Sequence, residues 1–451
     1  MGILFLILFV LAETALVVLT FTKFTEKVKW LKNRLIIRAA ETVLLLGMIL
    51  VPSTHLKWRF FGAVIILVVR LIISGIAYLV KHKKISGIKK KAGTVVNCVF
   101  SILLITVFLI PAFLFTNYNG LPTTGKYDVI QSDAILVDES RLDEFENDGS
   151  YREVPAHFFY PESDDDTFPL IVFSHGAFGY YQSNYSTYEE LASHGYVVVS
   201  LDHPHHAFFT KDTEGQTVIV DTDFINLAME INDENTSNEE IFTVTKEWMK
   251  LRTDDENFVL DTIKEAKQHQ KLNKAWHTDD EKTILNVLSK TDTDKIGLMG
   301  HSLGGASSVA LGRERDDIDA VVDLDGTMLG DIVGVKNGDF EYEKEVYPVP
   351  VLDFTKESDY NEREQFKNEN GYAYVNENVI QNAKDGKTIV FANTGHMDFT
   401  DLPLISPTLA SMLGKGEVNS EEFLPMMNGI VLEWFDYYLK NEGTLDIQAR
   451  Y

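Results

Sequence analysis

Four apolar stretches follow one another in the first quarter of the chain. They cover residues 3–22, 35–51, 60–80 and 94–116. Each is close to the roughly 20 residues that a helix needs to cross the hydrocarbon core of a bilayer. The first stretch lacks the basic start and the small-residue cleavage site of a secretory signal, and three more follow it. The sequence therefore predicts a transmembrane region of four helices over residues 1–116.

Charge changes sign at the same boundary. Residues 1–116 hold 15 Lys and Arg against 3 Asp and Glu, and the remainder holds 26 against 64, so that +12 and −38 give the net charge of −26. Two of the three loops between the apolar stretches carry most of the basic residues. The first loop contains Lys23, Lys27, Lys29, Lys32 and Arg34, and the third contains Lys81, Lys83, Lys84, Lys89, Lys90 and Lys91. The positive-inside bias places both loops in the cytoplasm, so residues 117–451 are expected outside it.

Ionisable residues also lie inside the apolar stretches. They are Glu13, Arg38, Glu41 and Arg70. A charge at the centre of a span costs on the order of 3 kcal/mol on insertion scales, so such residues usually pair. One interpretation is that Arg38 reaches the interface while Glu13 or Glu41 pairs with Arg70 in a helix bundle. The alternative is a conduction or sensing site. The only cysteine, Cys98, lies in the fourth stretch, so no disulfide framework is expected.

From residue 117 onward, short apolar runs alternate with helical patterns. "YDVIQSDAILVD" and "REVPAHFFYP" indicate opening strands, and "FPLIVFSHG", "YVVVSLD", "KIGLMG", "DAVVDLDG", "VPVLDFT" and "KTIVFAN" indicate buried ones. Strands alternating with helices predict a mostly parallel sheet with helices on both faces, the α/β class. An acidic, mainly helical insertion at residues 203–292 interrupts this rhythm. It is either a lid over the site or a decoration far from it.

One serine stands at a strand-to-helix turn of distinctive composition. "KIGLM" reads as a strand, "GHSLG" as a sharp turn and "GASSVAL" as the start of a helix. Glycines on both sides of Ser302 permit a strained turn that lifts the hydroxyl above the carboxyl end of a sheet. The helix that follows adds a dipole favourable to developing negative charge. The pattern indicates a nucleophile, and the alternative is an ordinary glycine-rich turn.

The order of four motifs resembles a known superfamily. They are "VFSHGAFGYYQSNYSTYEELASHGYVVVSLDHP", "IGLMGHSLGGAS", "VVDLDGTM" and "TGHMDFTD". In this order they resemble the α/β-hydrolases, and most of all the bacterial relatives of platelet-activating factor acetylhydrolase (isoform II) and of dienelactone hydrolase. The resemblance covers about residues 121–439 and leaves the apolar stretches unexplained. It implies an α/β-hydrolase fold and a Ser-His-Asp site, but not a particular substrate.

The resemblance assigns roles to individual residues. A serine hydroxyl needs a base within hydrogen-bond reach and a carboxylate that orients the base. Ser302 would be the nucleophile, and His396, after the last predicted strand, the base. The backbone N–H groups of Ala177 and Leu303 would form the oxyanion hole. His175 would shape the backbone of the oxyanion loop.

Two carboxylates compete for the third position. Many α/β-hydrolases take the acid from the loop after the penultimate strand, which nominates Asp359. The acetylhydrolase-like relatives take it one strand earlier, where Asp325 lies at the end of "AVVDLDGTM". Asp323 lies two residues before it on the same face but further down the strand. Asp325 is the favoured candidate because a short side chain at a strand end can be held rigidly.

Two further clusters allow competing interpretations. Asp202, His203, His205 and His206 in "DHPHH" could suggest a metal site, but a loop near the catalytic centre is favoured, and neither metal nor cofactor is expected. Tyr180, Tyr181 and Tyr185 could line a pocket for the acyl or leaving group, or pack against the oxyanion loop. The acidic domain contains no basic patch for nucleic acid. The oligomeric state stays open.

The sequence thus predicts a membrane-anchored serine hydrolase. We expect it to cleave small or short-acyl lipid esters through an acyl-enzyme intermediate, with the catalytic domain, residues 117–451, outside the cytoplasm of a bacterial cell and an integral, multi-pass anchor in the cell membrane. One alternative is acyl transfer to an acceptor other than water with the same triad. The other is a membrane sensor or scaffold that carries an inactive hydrolase domain.

Overall fold

The chain forms two compact units. The structure, a computed structural model, describes residues 1–22, 26–163, 167–231, 233 and 235–451, so Lys23 of the first basic loop lies outside the described residues. The helical unit comprises Met1–Gly120 and Pro403–Met412, and the sheet unit comprises Leu121–Leu402 and Leu413–Tyr451.

The predicted apolar stretches of the helical unit form helices. These are α1 (Gly2–Thr22), α2 (Lys27–Ile49), α3 (Phe61–Lys81), α4 (Lys91–Phe108) and the short α5 (Ile110–Leu114), with a 3-10 turn at Lys57–Phe60 before α3. Apolar side chains from α1 to α4 meet in a common core that includes Phe5, Phe9, Leu45, Leu67 and Ile105. Many other apolar side chains of these helices are exposed, as expected for a surface that faces lipid.

Three helical segments are long and apolar enough to cross a membrane. Within the described ranges they are Gly2–Phe21, Lys57–Lys81 and Lys91–Phe108. The predicted span 35–51 forms most of α2, but this helix also carries Arg34, Arg38 and Glu41. Its composition therefore sets α2 apart from the other three. Four spans stay a prediction, while three are supported by length and composition.

A buried ionic network joins the helices of this unit. Arg38 pairs with Glu41 at 2.9 Å and also with Glu13, and Glu13 pairs with Arg70 at 2.6 Å. The expectation that Arg38 reaches the interface is wrong, because its side chain is only 3% exposed. Pairing with two carboxylates holds the guanidinium inside the bundle. The expected pair of Glu13 with Arg70 is present.

A mixed sheet forms the centre of the sheet unit. Its strands are β1 (Val129–Leu142), β2 (Tyr151–Pro161), β3 (Phe168–Ser174), β4 (Val197–Leu201), β7 (Trp276–His277), β8 (Thr291–His301), β9 (Ala320–Leu324), β12 (Val351–Lys356) and β13 (Gly386–Phe391). Their order in the sheet is β13-β12-β9-β8-β3-β4-β2-β1-β7. The six strands from β13 to β4 run parallel, and β2, β1 and β7 each pair antiparallel with a neighbour. The carboxyl ends of the parallel strands therefore share one edge.

Helices connect these strands and cover the sheet. They are α6 (Tyr185–Ser193), α7 (Thr222–Glu230), α8 (Asn238–His269), α9 (Glu281–Lys290), α10 (Leu303–Glu314), α11 (Glu357–Asn370), α12 (Val375–Asn382) and α15 (Ser420–Phe435). The short α13 (Leu402–Ile405), except for its first residue, and α14 (Pro407–Met412) belong to the helical unit. Leu170 and Val172 of β3 pack in one core with residues of α8, α9 and α10. Phe173, which points to the opposite face, packs on Tyr188 of α6 with ring centroids 4.9 Å apart. Helices thus cover both faces, as the sequence predicted.

Each apolar run predicted to be a strand is a strand of this sheet. Smaller strands were not predicted: the hairpin β5 (Phe209–Lys211) with β6 (Thr217–Ile219), the hairpin β10 (Ile332–Lys336) with β11 (Asp339–Tyr342), and β7. The range 203–292 contains β5, β6, β7, α7, α8 and α9. Short, half-exposed strands lack the apolar run that marks a buried strand, which explains why they were missed.

Candidate active site

Ser302 lies at the turn between β8 and α10, in a conformation that residues other than glycine rarely adopt. Its φ is 55° and its ψ −122°. The turn is fixed by its neighbours: the N–H of Ser302 donates to Leu324 O at 2.9 Å, and its carbonyl accepts from Ala306 N at 3.0 Å. A Cβ on Gly304 would lie 2.0 Å from the carbonyl oxygen of Ser174. A side chain at Gly304, two residues after the serine, would therefore clash with the backbone of β3.

His396 and Asp325 meet at the ends of two parallel strands. His396 follows β13, and its Nδ1–H donates to Asp325 Oδ2 at 2.7 Å. Asp325 follows β9 with a φ of 56°, and its other oxygen accepts the N–H of Lys356 at 3.2 Å. The carboxylate is 1% exposed and the imidazole 33% exposed. A buried carboxylate therefore orients a ring that is partly open to solvent.

The two competing carboxylates have other partners. Asp359 lies on α11, where Lys356 Nζ approaches it to 3.0 Å. Asp323 is completely buried in β9, opposite Asp353 of β12, and accepts the N–H of Gly326 at 3.0 Å. Burial, and next the neighbouring Asp353, raise the pKa of Asp323 well above its usual range. Of the three carboxylates, Asp325 is the one that the structure joins to His396.

The predicted oxyanion loop lies against Ser302. A Cβ on Gly176 would be 3.2 Å from Ser302 Cβ, so the absence of a side chain allows the backbone before Ala177 to approach the serine. Leu303 is the first residue of α10. Leu303 belongs to an apolar cluster that also contains Phe224 of α7 and Trp248 of α8, and Ala177 packs against this cluster. Elements of the range 203–292 thus form part of the surroundings of the site, as the lid interpretation expects.

The neutral imidazole of His175 forms hydrogen bonds with the backbone of the oxyanion loop and of His203. Its Nδ1–H donates to Gly176 O at 2.7 Å, and its Nε2 accepts the backbone N–H of His203 at 3.1 Å. Burial, together with the charge of Arg252, holds the pKa of His175 well below its usual range. Since Nε2 is an acceptor, the proton must be on Nδ1. The role expected of His175 agrees with these contacts.

His203 and His206 of "DHPHH" form hydrogen bonds and ring contacts with neighbouring side chains. His203 Nδ1–H donates to Asp255 at 3.0 Å, and its Nε2 accepts from Ser174 Oγ at 2.9 Å. Burial, and then Arg252, lower its pKa to about 4. His206 stacks on Phe224 with centroids 3.8 Å apart. Among the residues that the structure describes, no three His, Cys, Asp or Glu side chains are grouped so that they could hold a metal ion.

The tyrosines of the oxyanion loop pack mainly against the scaffold. Tyr181 stacks on His157 with centroids 3.5 Å apart, and Tyr185 meets Phe159 edge-on at 5.3 Å. Tyr180 packs on Phe209 of β5 at 5.5 Å. For Tyr181 and Tyr185 these contacts favour the packing interpretation.

Sequence reasoning missed a group of charged residues on α8. Arg252, Asp255 and Glu256 are each 0% exposed and lie beneath the oxyanion loop. Their spacing places them on one face of the helix, the face that also carries the apolar residues Val259 and Leu260. Charges on the buried stripe of a helix were the available signal. The acidic composition of the whole insertion obscured it.

Comparisons with known proteins agree on one family. The sequence profile described as "Platelet-activating factor acetylhydrolase, isoform II" matches residues 149–446. The platelet-activating factor acetylhydrolase of Cavia porcellus is 25% identical over 317 residues, which cover 65% of this chain and 63% of the relative. That of Bos taurus is 25% identical over 310 residues, covering 62% and 59%. The chain thus spans about three fifths of the length of these curated relatives.

A solved structure shows the same fold. The ferulic acid esterase from Streptomyces cinnamoneus aligns with a TM-score of 0.51 at 20% identity. The alignment covers 72% of this chain and 95% of the esterase. At this identity the likeness concerns the fold alone, and it agrees with the mostly parallel sheet described above.

Proposed function

We propose that this chain is a serine esterase in which Ser302, His396 and Asp325 form the catalytic triad. The premise is that the chain belongs to the platelet-activating factor acetylhydrolase isoform II family. The family and the fold support an ester hydrolase in general. The finer assignment depends above all on one observation: a 2.7 Å hydrogen bond joins His396 Nδ1 to Asp325, at the strand ends beside the strained turn of Ser302.

The proposed reaction follows from the chemistry of these groups. Ser302 Oγ attacks the ester carbonyl while His396 Nε2 takes the hydroxyl proton. The N–H groups of Ala177 and Leu303 donate to the oxyanion of the tetrahedral intermediate. The imidazolium then protonates the leaving alcohol, and an acyl group stays on the serine. A water molecule activated by His396 releases the acid and restores the free hydroxyl. Asp325 keeps the ring proton on Nδ1 throughout.

The proposed substrates are esters with a short acyl group. This proposal extends to the present chain what the names of its relatives state, namely the removal of acetyl groups. We further propose that α1 to α4 anchor the protein in the membrane and that the sheet unit works outside the cytoplasm. The apolar lengths of three helical segments and the placement of the basic loops support this part.

A fluorophosphonate probe tests the proposal directly. It should label the full-length protein in membranes, and Ser302→Ala should abolish both labelling and the hydrolysis of p-nitrophenyl acetate. Ser308→Ala, on the same helix, is the matched control and should retain both. A Ser302→Ala protein that is still labelled would refute the assignment. A wild type that is neither labelled nor active would favour the sensor or scaffold alternative.

The products formed from p-nitrophenyl acetate separate hydrolysis from acyl transfer. With p-nitrophenyl acetate as donor, a hydrolase releases acetate and p-nitrophenol in equal amounts. If an added alcohol captured most of the acetyl group at a concentration far below that of water, acyl transfer would replace hydrolysis as the proposed reaction.

A further inference from the structure

We infer that Arg252 of α8 is a positioning residue that orients and polarises the Gly176–Ala177 peptide of the oxyanion hole. This inference rests on the proposed function. The guanidinium of Arg252 is completely buried, and its Nη1 donates to the carbonyl oxygen of His175. Its Nη2 donates to the carbonyl oxygen of Gly176 at 3.5 Å. These are the two carbonyls that precede the N–H assigned to the oxyanion hole.

Peptide geometry connects these contacts to the reaction. The C=O of Gly176 and the N–H of Ala177 belong to one planar, trans peptide unit, so they point in opposite directions. Donors that hold the oxygen on one side therefore fix the direction of the N–H on the other. His175 Nδ1–H donates to the same oxygen at 2.7 Å. Hydrogen bonds to a carbonyl also polarise its peptide group, which makes the N–H a stronger donor toward an oxyanion.

The other contacts of Arg252 argue against a role in fold stability alone. A buried arginine usually forms a bidentate pair with a carboxylate. In the part of the chain that the structure describes, Arg252 instead donates to carbonyl and hydroxyl oxygens, including Ser174 Oγ at 3.4 Å, and its Nε has no partner. Glu256 and Asp255 act on it through space. This arrangement leaves an incompletely compensated positive charge directly behind the oxyanion loop.

The charge persists at neutral pH. Burial lowers the pKa of Arg252 to about 9, and the neighbouring carboxylates limit the decrease. Asp255 is itself held by Arg152 at 2.8 Å and by His203 at 3.0 Å. The oxyanion loop thus rests on a charged layer contributed by α8, an element of the insertion.

The experiment compares Arg252→Met and Arg252→Lys in the full-length protein. For p-nitrophenyl acetate we expect Arg252→Met to lower kcat about 10- to 100-fold with KM changed less than about threefold. This is less than the roughly 10²–10³ typical for direct loss of an oxyanion donor, because Arg252 acts through a peptide. Arg252→Lys keeps the charge and should lie between Arg252→Met and wild type.

A trifluoromethyl ketone distinguishes positioning from stability. Its adduct with Ser302 carries the oxyanion, so its Ki should rise in each variant by the same factor by which kcat/KM falls. Arg313→Met is the control: Arg313 pairs with Asp331 at the far end of α10, and this variant should lower the thermal midpoint without changing Ki or kcat. Unchanged kcat and Ki in the Arg252 variants, or a lower kcat with unchanged Ki, would refute the inference.

Two further outcomes keep the two proposals separate. If Arg252→Met does not fold, Arg252→Lys decides, because a normal kcat and Ki in that variant would contradict a positioning role. An inactive Ser302→Ala beside normal Arg252 variants would refute this inference alone. Residual activity in Ser302→Ala would instead refute the proposed triad.

Discussion

Ser302 and Asp325 both have a positive φ, 55° and 56°, although neither is glycine. Such conformations cost about 1–3 kcal/mol each and persist only where the surrounding structure enforces them. Here the enforcement comes from backbone hydrogen bonds to β9 and β12: Ser302 N–H donates to Leu324 O, and Asp325 N–H donates to Phe354 O, both at 2.9 Å. The sheet thus stores strain at two residues of the proposed triad.

This strain predicts a difference between two inactive variants. We expect Ser302→Gly to have a free energy of unfolding about 1 kcal/mol higher than Ser302→Ala. Glycine relieves a strain of about 1–3 kcal/mol and adds about 0.5–1 kcal/mol of chain entropy to the unfolded state. Urea denaturation of both proteins measures the difference. A glycine variant that is less stable than Ser302→Ala by about 0.5–1 kcal/mol, the entropy cost alone, would show that the turn stores no strain.

A second pair of variants tests which carboxylate is the acid of the proposed triad. Asp325→Asn should keep the fold but lower turnover by about 10⁴, since the imidazole would lose the tautomer in which Nε2 is a base. Asp359→Asn should change turnover little, because its carboxylate pairs with Lys356 on the surface of α11. Steady-state kinetics decide the matter. Normal turnover in Asp325→Asn with collapse in Asp359→Asn would reverse the assignment.

The role of a residue was predictable from the sequence where a local motif surrounds it. The glycines around Ser302 mark its position by local pattern, whereas the role of His396 depended on the resemblance, which implies a base after the last strand. The choice among Asp323, Asp325 and Asp359 depended on resemblance, since all three follow or lie in predicted strands. Arg252 could not be found in this way, because its partners are backbone carbonyls more than 70 positions away in the chain.

At the scale of elements, the segment after His396 is tied to the start of α6. Asp401 is completely buried and accepts from Ser186 N at 2.7 Å and from Ser186 Oγ at 2.6 Å. Asn184 Nδ2 donates to Phe399 O at 2.6 Å. Burial raises the pKa of Asp401 to about 7, against the opposing effect of the Ser186 hydrogen bonds. The segment that carries the proposed base is therefore attached to α6 through a group that titrates near neutrality.

The raised pKa predicts a pH dependence of stability. Between its usual pKa near 4 and about 7, the folded protein binds one more proton at Asp401 than the unfolded chain. This contribution to stability is therefore complete below about pH 4, declines as pH rises from there through about 7, and is lost above that pH. Asp401→Asn should flatten that decline, since an amide stays neutral. Thermal midpoints of both proteins from pH 5 to 8.5 provide the measurement, and parallel curves would contradict the prediction.

The insertion illustrates which elements a sequence can predict. Buried strands were predictable because apolar runs between turn signals have few other interpretations. The range 203–292 contains α7, α8 and α9, but its role depends on contacts across the fold. Phe224 of α7 and Trp248 of α8 pack in the cluster that contains Leu303, and Arg252 reaches the oxyanion loop. The periodicity of apolar residues predicts which face of a helix is buried, but not which residues that face contacts.

At the scale of the whole molecule, the two units have different chemistry. The four apolar stretches were predicted as helices because their length and composition suffice. The ionic network of Glu13, Arg38, Glu41 and Arg70 joins residues of three helices, α1, α2 and α3, and a sequence shows only that the charges need partners. Pairing compensates their burial and is consistent with an anchor. The net charge is +12 for residues 1–116 and −38 for the remainder, and the placement of the basic residues within the first part predicts the orientation of the helices in the membrane.

Orientation is the last prediction, and it follows from where the basic residues lie. The loop between α3 and α4 holds Lys83, Lys84, Lys89 and Lys90, whereas the segment between α2 and α3 holds only Lys57 and Arg59. Under the positive-inside bias, an alkaline phosphatase reporter fused after Thr116 should be active, because that enzyme matures only outside the cytoplasm. The same reporter fused after Lys84 is the matched control and should be inactive. A cytoplasmic β-galactosidase reporter should give the opposite pattern. Phosphatase activity after Lys84 but not after Thr116 would place the sheet unit in the cytoplasm and overturn the proposed location of the esterase.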